Sequence, residues 1–248
     1  MEGIDAWVEP STGSTVAFAL VIVLVVGPFV VGVARAYGSR RAGTYALLGA
    51  LVWMALTGAW VAAGLPARGA PGLMGFFAIA NVGAIALAFS PVGTRLIEGV
   101  PLWTLAAFQG FRLPLELVLH AWSSEGVVPV QMTFEGHNFD IVTGTLGLLV
   151  AVVALVRRRD LPRPWLLTFN AIGSALLLAV IVIVLLSSPL PIKRYEGPPI
   201  LLGLHLPYAW IAPVCVAGAL SAHLMLWRAL LRPAAQRSTS VTASPSAR

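Results

Sequence analysis

The sequence predicts an all-α, polytopic membrane helix bundle of about seven transmembrane helices, with the N-terminus outside and the C-terminus cytoplasmic. Three observations carry that reading. Hydrophobic residues make up 58% of the 248 and charged residues only 10%, whereas a soluble domain carries about 25% charged residues. The apolar residues come in long uncharged runs instead of amphipathic segments. The basic residues gather in the links between alternate runs, which sets orientation.

The uncharged runs cover residues 16–34, 42–67, 69–94, 99–111, 141–156, 164–192 and 197–227. A helix needs about 20 residues to cross the hydrocarbon core, and five of the seven runs are long enough unaided. The fourth reaches full length only by continuing through Arg112 and Glu116 to about Trp122. The fifth is short and must start near Phe139 or Asp140. With the N-terminus outside, 12 of the 16 basic residues fall in inner segments and three, Arg68, Lys193 and Arg194, in outer ones. The last, Arg112, sits within a span. The leader, with Glu2, Asp5 and Glu9, is acidic as an outer segment should be. It is followed by no small-residue cleavage site, so no cleavable signal peptide is expected. Residues 1–232 therefore read as a single transmembrane seven-helix domain. Residues 233–248, rich in Ser, Ala, Thr and Arg, read as a disordered cytoplasmic tail.

Several function classes are excluded on composition. The basic pI of about 10.4 comes from orienting residues, with no Lys/Arg stripe interleaved with aromatics, so nucleic acid is not a partner. A lone cysteine, Cys215, rules out disulfides within the chain. The only lysine, Lys193, lies in a loop, so a retinal Schiff base in a span is impossible. No repeat relates the two halves, so an inverted-repeat transporter is not supported.

The most informative stretch runs from Gln109 to His120. Gln109, Arg112, Glu116 and His120 are spaced three, four and four apart and share one helix face. Arg112 and Glu116 stand at the i, i+4 spacing of a helical ion pair. An ionisable residue in a span is costly, about 2.5 to above 10 kcal/mol for Arg, so the stripe should face the bundle interior or a wet cavity. Pro114 is expected to break the backbone ladder between the two charges. Two readings stay open: a buried ion pair that locks the fourth helix in place, and a functional polar pocket in the outer half of the bundle.

The link that follows, residues 123–141, is semi-apolar through Val127, Val128, Val130, Met132 and Phe134. It is expected to fold back over the outer mouth and bring Glu135, His137, Asn138 and Asp140 near the stripe. Asn138 or Asp140 also reads as an N-cap for the fifth helix. Asn81, Asn170, His205 and Tyr208 are further candidates to close the site, although an Asn in a span more often bonds a neighbouring helix. His120, His137 and His205, beside Glu116, Glu135 and Asp140, leave zinc as a weak possibility, but no HExxH or HxxxH spacing occurs; no cofactor is expected otherwise. His223, in the inner half of the last span, reads as a helix–helix hydrogen bond.

The block from Phe111-Arg112 through Glu116 and His120 to Met132-Thr-Phe-Glu-Gly-His-Asn-Phe-Asp-Ile141 resembles a group of bacterial seven-helix integral membrane proteins. That group carries an MTFEGxNFDI-like phrase after the fourth span. The likeness extends more loosely through the Asn170 helix to Leu206-Pro207-Tyr208-Ala-Trp210. It implies a bacterial inner-membrane location and no particular chemistry. Arg often stands at the His137 position in the group, which counts against a metal role there.

The expectation is therefore a multi-pass inner-membrane protein binding or transporting a small solute, anionic or otherwise, or relaying protons. Two alternatives are a membrane-embedded enzyme acting on a lipid head group at the outer interface and a scaffold subunit of a membrane complex. In the enzyme, His120 or Glu116 would be general base and Arg112 the phosphate or oxyanion partner.

Overall fold

The computed structural model describes residues 7–158 and 161–232. The expected tail lies outside the described residues, as do Glu2 and Asp5. Every regular element among the described residues is helical. In chain order these are α1 (Thr12–Ala36), α2 (Arg40–Ala62), α3 (Ala70–Phe89), α4 (Pro91–Gly99), α5 (Leu102–Phe108), α6 (Arg112–Ser124), α7 (Asp140–Arg157), α8 (Arg163–Ser187) and α9 (Ala217–Leu231). Six helical stretches are long and apolar enough to cross a membrane: α1, α2, α3, α7, α8 and the segment Tyr208–Leu231 that ends in α9.

The boundaries follow local chemistry. Ser11 caps α1, its hydroxyl accepting the Ser14 N–H at 3.2 Å. The third run was expected to reach residue 94, but α3 stops at Phe89. Pro91 bars Ser90 from helical geometry, and Ser90 instead caps the short α4 by accepting the Gly93 N–H at 3.1 Å. The last uncharged run begins at residue 197, and its helix was expected to start only at Tyr208. It becomes helical with a tight 3₁₀ turn at Tyr208–Ile211, then a π-helical turn at Ala212–Val216 that opens α9. Pro198, Pro199 and Pro207, which donate no backbone hydrogen bonds, account for the delay.

The fourth run departs most from expectation. It is not one helix but α5, a 3₁₀ turn at Gln109–Phe111, and α6. The break lies before Arg112 and not between the charges. Pro114 falls in the first turn of α6, where a missing N–H leaves no intrahelical bond unmade.

Burial identifies the centre of the bundle. In Tyr208–Leu231, 67% of the most apolar window is buried, against 33% or less in the other five long helices. The outer faces of those five expose leucine, isoleucine and valine, among them Leu20, Leu56, Val82, Leu155 and Leu178. A water-soluble bundle would place polar residues there. Among the described residues, three apolar clusters fill the interior, the smallest of them Val61, Phe76, Ala80, Ala209 and Ala212. Of the two larger, the first is built around Phe18, Trp122, Met132, Leu202 and Tyr208, the second around Val33, Leu96, Leu166, Leu226 and Leu230. Asn170 lies between Phe169 of the second cluster and Leu177 of the first, and His223 between Ala219 of the first and Met225 of the second.

Candidate functional site at the α6–α7–α9 crossing

Arg112, at the start of α6, is 1% exposed. Its predicted partner was Glu116, one turn further along the same helix. The structure replaces that pair: both Nε and Nη2 of Arg112 face Oδ2 of Asp140, the first residue of α7, with Nε at 2.5 Å. Long helical side chains lean toward the N-terminus of their helix, so the guanidinium points away from Glu116. Asp140 therefore does not cap its helix. The N-cap is Phe139, and Asn138 takes the capping role by accepting the Asp140 N–H on Oδ1 at 3.1 Å.

Two glycines permit this approach. A Cβ on Gly144 of α7 would collide with the backbone of Arg112 and Leu113, so α6 and α7 touch there main chain to main chain. On α8, a Cβ on Gly173 would stand 2.6 Å from His223 Cε1 and 2.9 Å from Thr143 Cγ2. The Gly173 carbonyl is then left facing Arg112 Nη1 at 3.5 Å.

His223 completes the guanidinium's surroundings. Arg112 Nη1 donates to His223 Nε2 at 3.2 Å. A guanidinium has no acceptor, so Nε2 must accept and the ring proton resides on Nδ1. That proton is donated to Asn170 Oδ1 at 2.7 Å, and Asn170 Nδ2 returns a bond to the His223 carbonyl at 3.2 Å. His223 does bond another helix, as expected. It also joins Arg112, which its place in the inner half of the last span did not foretell.

Glu116, also 1% exposed, is held by the loop. Asn138 Nδ2 donates to Glu116 Oε1 at 2.8 Å and to the Met132 carbonyl at 3.0 Å. The loop folds back as expected, burying Val127, Val128 and Met132 in the first apolar cluster. Glu116 Oε2 and Asp140 Oδ1 are buried and have no hydrogen-bond partner. Gln109 Oε1 and Thr143 Oγ1 are in the same condition. Gln109 uses its Nε2 to reach the Ala219 carbonyl at 3.0 Å.

Beside these groups lies a cavity of about 240 Å³, with Arg112, Glu116 and Asp140 among its lining residues. The rest of its wall is almost wholly apolar and comes from α3, α6, α8, Met132, the segment before Tyr208 through Ile200, Leu202 and Gly203, the π turn through Ala212 and Cys215, and Ala219 of α9. π turns occur frequently at functional sites, and Pro213 is the sequence signal that marks this one. The polar pocket expected in the outer half is thus an apolar cavity with a polar edge.

The other candidates add little to it. Asn81 lines the cavity but spends its Nδ2 on the Phe77 carbonyl of its own helix at 2.8 Å. His120 is more than one-third exposed, stacks on Phe134 and has Glu135 at 3.9 Å, so it leaves the buried face of its stripe. His137 stacks on Tyr195, and His205 on Trp7. Burial lowers the His205 pKa below the ordinary histidine range, against the opposing charge of Glu9. Tyr208 donates to Glu9 Oε1 at 3.0 Å and meets the Thr15 hydroxyl at 2.9 Å. Among the described residues, no group of three or more His, Cys, Asp or Glu gathers as a metal site would require.

Six apolar helices of spanning length and an ionisable cluster sealed between them define the class: a helical protein of multi-pass membrane build. No protein-family model, curated protein or solved structure matches the chain.

Proposed function

We propose that the chain crosses a bacterial inner membrane seven times, N-terminus outside, and binds a small ligand in the cavity beside Glu116 and Asp140. The seventh crossing is the broken stretch from Leu102 to Ser124. Ser11, before α1, bonds Glu125, just after α6, at 2.7 Å, so these two ends share one side of the bundle. The basic residues favour that side as the outer one.

A single observation carries the ligand reading. Two buried carboxylates each leave one oxygen unpartnered at the edge of the same cavity. Buried polar atoms are paired in the great majority of cases, and each exception calls for an explanation. A bound molecule supplies the missing partner. Arg112 has a different part: with Asp140, His223 and the Gly173 carbonyl around it, it fastens α6 to α7, α8 and α9. The enzymatic alternative loses support, because His120 is not among the residues lining the cavity and Arg112 is already engaged by Asp140.

The test is native mass spectrometry of the detergent-purified protein. The wild type should retain a non-protein mass that Glu116→Leu loses, while Asn81→Leu, whose side chain bonds its own helix, retains it. Equal retention by wild type and Glu116→Leu, or no retained mass in either, would contradict the reading.

A further inference from the structure

The shape and charge of this cavity say what kind of molecule enters it and from where; the inference rests on the ligand reading above. Three observations bear on it.

The first is the route. Met74 and Ala78 of α3 line the cavity and are also exposed on the outer surface of the bundle. Ile181, Val184 and Leu185 of α8 line it too. Both helices pack on the Tyr208–Leu231 segment, but no comparable packing joins α3 to α8 among the described residues. The cavity therefore opens sideways between two lipid-facing helices, through a gate of methionine, alanine, isoleucine, valine and leucine. A charged solute arriving from water would lose its hydration at that gate with nothing in exchange. A molecule already dissolved in the bilayer would not.

The second is size. Ligand pockets run to about 300–1,000 Å³, so 240 Å³ accommodates a small head and the first few carbons of a chain. The remainder must leave through the α3–α8 opening.

The third is charge. Among the described residues, the only guanidinium at the cavity edge, that of Arg112, faces Asp140 with two of its nitrogens. Three buried polar atoms of its lining residues make no hydrogen bond: Glu116 Oε2, Asp140 Oδ1 and Arg112 Nη2, the last already in an ion pair with Asp140 Oδ2. An anionic head would meet oxygens and no unpaired cation. A hydroxyl donates to an ionised carboxylate and accepts from a protonated one, so it satisfies Glu116 in either state.

We propose that the cavity is a lateral binding site for a single-chain, membrane-dissolved alcohol. Its hydroxyl bonds Glu116 Oε2 and Asp140 Oδ1, and its chain runs out between α3 and α8. This departs from an anionic solute.

The probe is a long-chain alcohol, hexadecanol bearing a photoactivatable diazirine near the hydroxyl, added to the full chain in phosphatidylcholine nanodiscs. After illumination, cross-linked residues are mapped by peptide mass spectrometry. Labelling should concentrate on α3 and α8 around Met74, Ala78 and Leu185. Unlabelled hexadecanol should compete, and hexadecanoate or hexadecyl phosphate should not. Glu116→Leu should lower cavity labelling about tenfold or more, the loss of a hydrogen bond to a carboxylate. Ala78→Trp, an exposed position at the gate, should abolish it with the fold intact. Competition by hexadecanoate or hexadecyl phosphate as strong as by hexadecanol would overturn the alcohol assignment and leave the ligand site standing. Labelling spread over the outer helix faces, unchanged by Ala78→Trp, would overturn the lateral site. If the wild type then also kept no non-protein mass in native mass spectrometry, the ligand reading would fall with it.

Discussion

Arg112 shows how a membrane protein carries a charge it cannot expose. At 1% exposure the guanidinium is stable only because Asp140, His223 and the Gly173 carbonyl face it. Removing one member of such a pair leaves an uncompensated buried charge, at about 3–5 kcal/mol. Asp140→Asn should therefore lower thermal stability in detergent by that order. The double variant Arg112→Leu/Asp140→Leu should cost less than Arg112→Leu and Asp140→Leu, made singly, added together; the wild type completes the cycle. Thermal unfolding of all four proteins measures the coupling, and strict additivity would mean the pair is not coupled. The sequence made Arg112, Glu116 and the loop carboxylates visible as costly groups in apolar surroundings. It pointed to the wrong partner, because helical spacing ranks neighbours within one helix and is silent about another helix brought close by glycine. What Gly144 and Gly173 make room for depends on the facing chain.

At the scale of elements, helix contacts made of backbone tolerate little added volume. Gly144→Ala inserts a methyl where α6 and α7 touch. Overpacking of this kind costs about 1–3 kcal/mol, and the change should also pull Asp140 away from Arg112. A loss of stability that disappears in the Arg112→Leu/Asp140→Leu background would show both effects acting through one contact. At the start of α1, the Glu125 carboxylate accepts from the Ser11 N–H and from the Ser11 and Ser14 hydroxyls. Slight burial tends to raise its pKa, but these three hydrogen bonds outweigh that and hold it below the ordinary carboxylate value. A carboxyl whose folded pKa is depressed stabilises the fold above its unfolded pKa, about 4.3. That contribution is lost as the pH falls from there through the folded value. Hydrogen exchange in the first turn of α1 should accelerate as the pH drops below about 4, after correction for the intrinsic rate. Glu125→Gln should flatten the dependence. Ser11→Ala, which removes the cap as well, should cost about 1 kcal/mol.

Over the whole molecule, hydropathy made five of the six long helices legible as long uncharged runs, and α7 as a shorter one that had to begin near Asp140. It failed where polar residues or proline interrupt a run. The α5–α6 break and the early end of α3 lie at such places. The cavity was beyond reach, because apolar side chains that line a void and those that face lipid look alike in a sequence. Topology has its own test. In a background where Cys215 is replaced by alanine, a cysteine at Ser124 should react with an impermeant maleimide from outside intact cells. One at Arg95 should react only after the cells are opened. The reverse pattern would invert the protein. The central claim, that the free oxygens of Glu116 and Asp140 face a bound molecule, is tested most directly by an electron cryo-microscopy map of the protein purified with its native lipids. The account predicts elongated non-protein density that begins against Glu116 Oε2 and Asp140 Oδ1 and leaves between α3 and α8. A map in which the cavity is closed by its own side chains, with both oxygens bonded to protein, would contradict it.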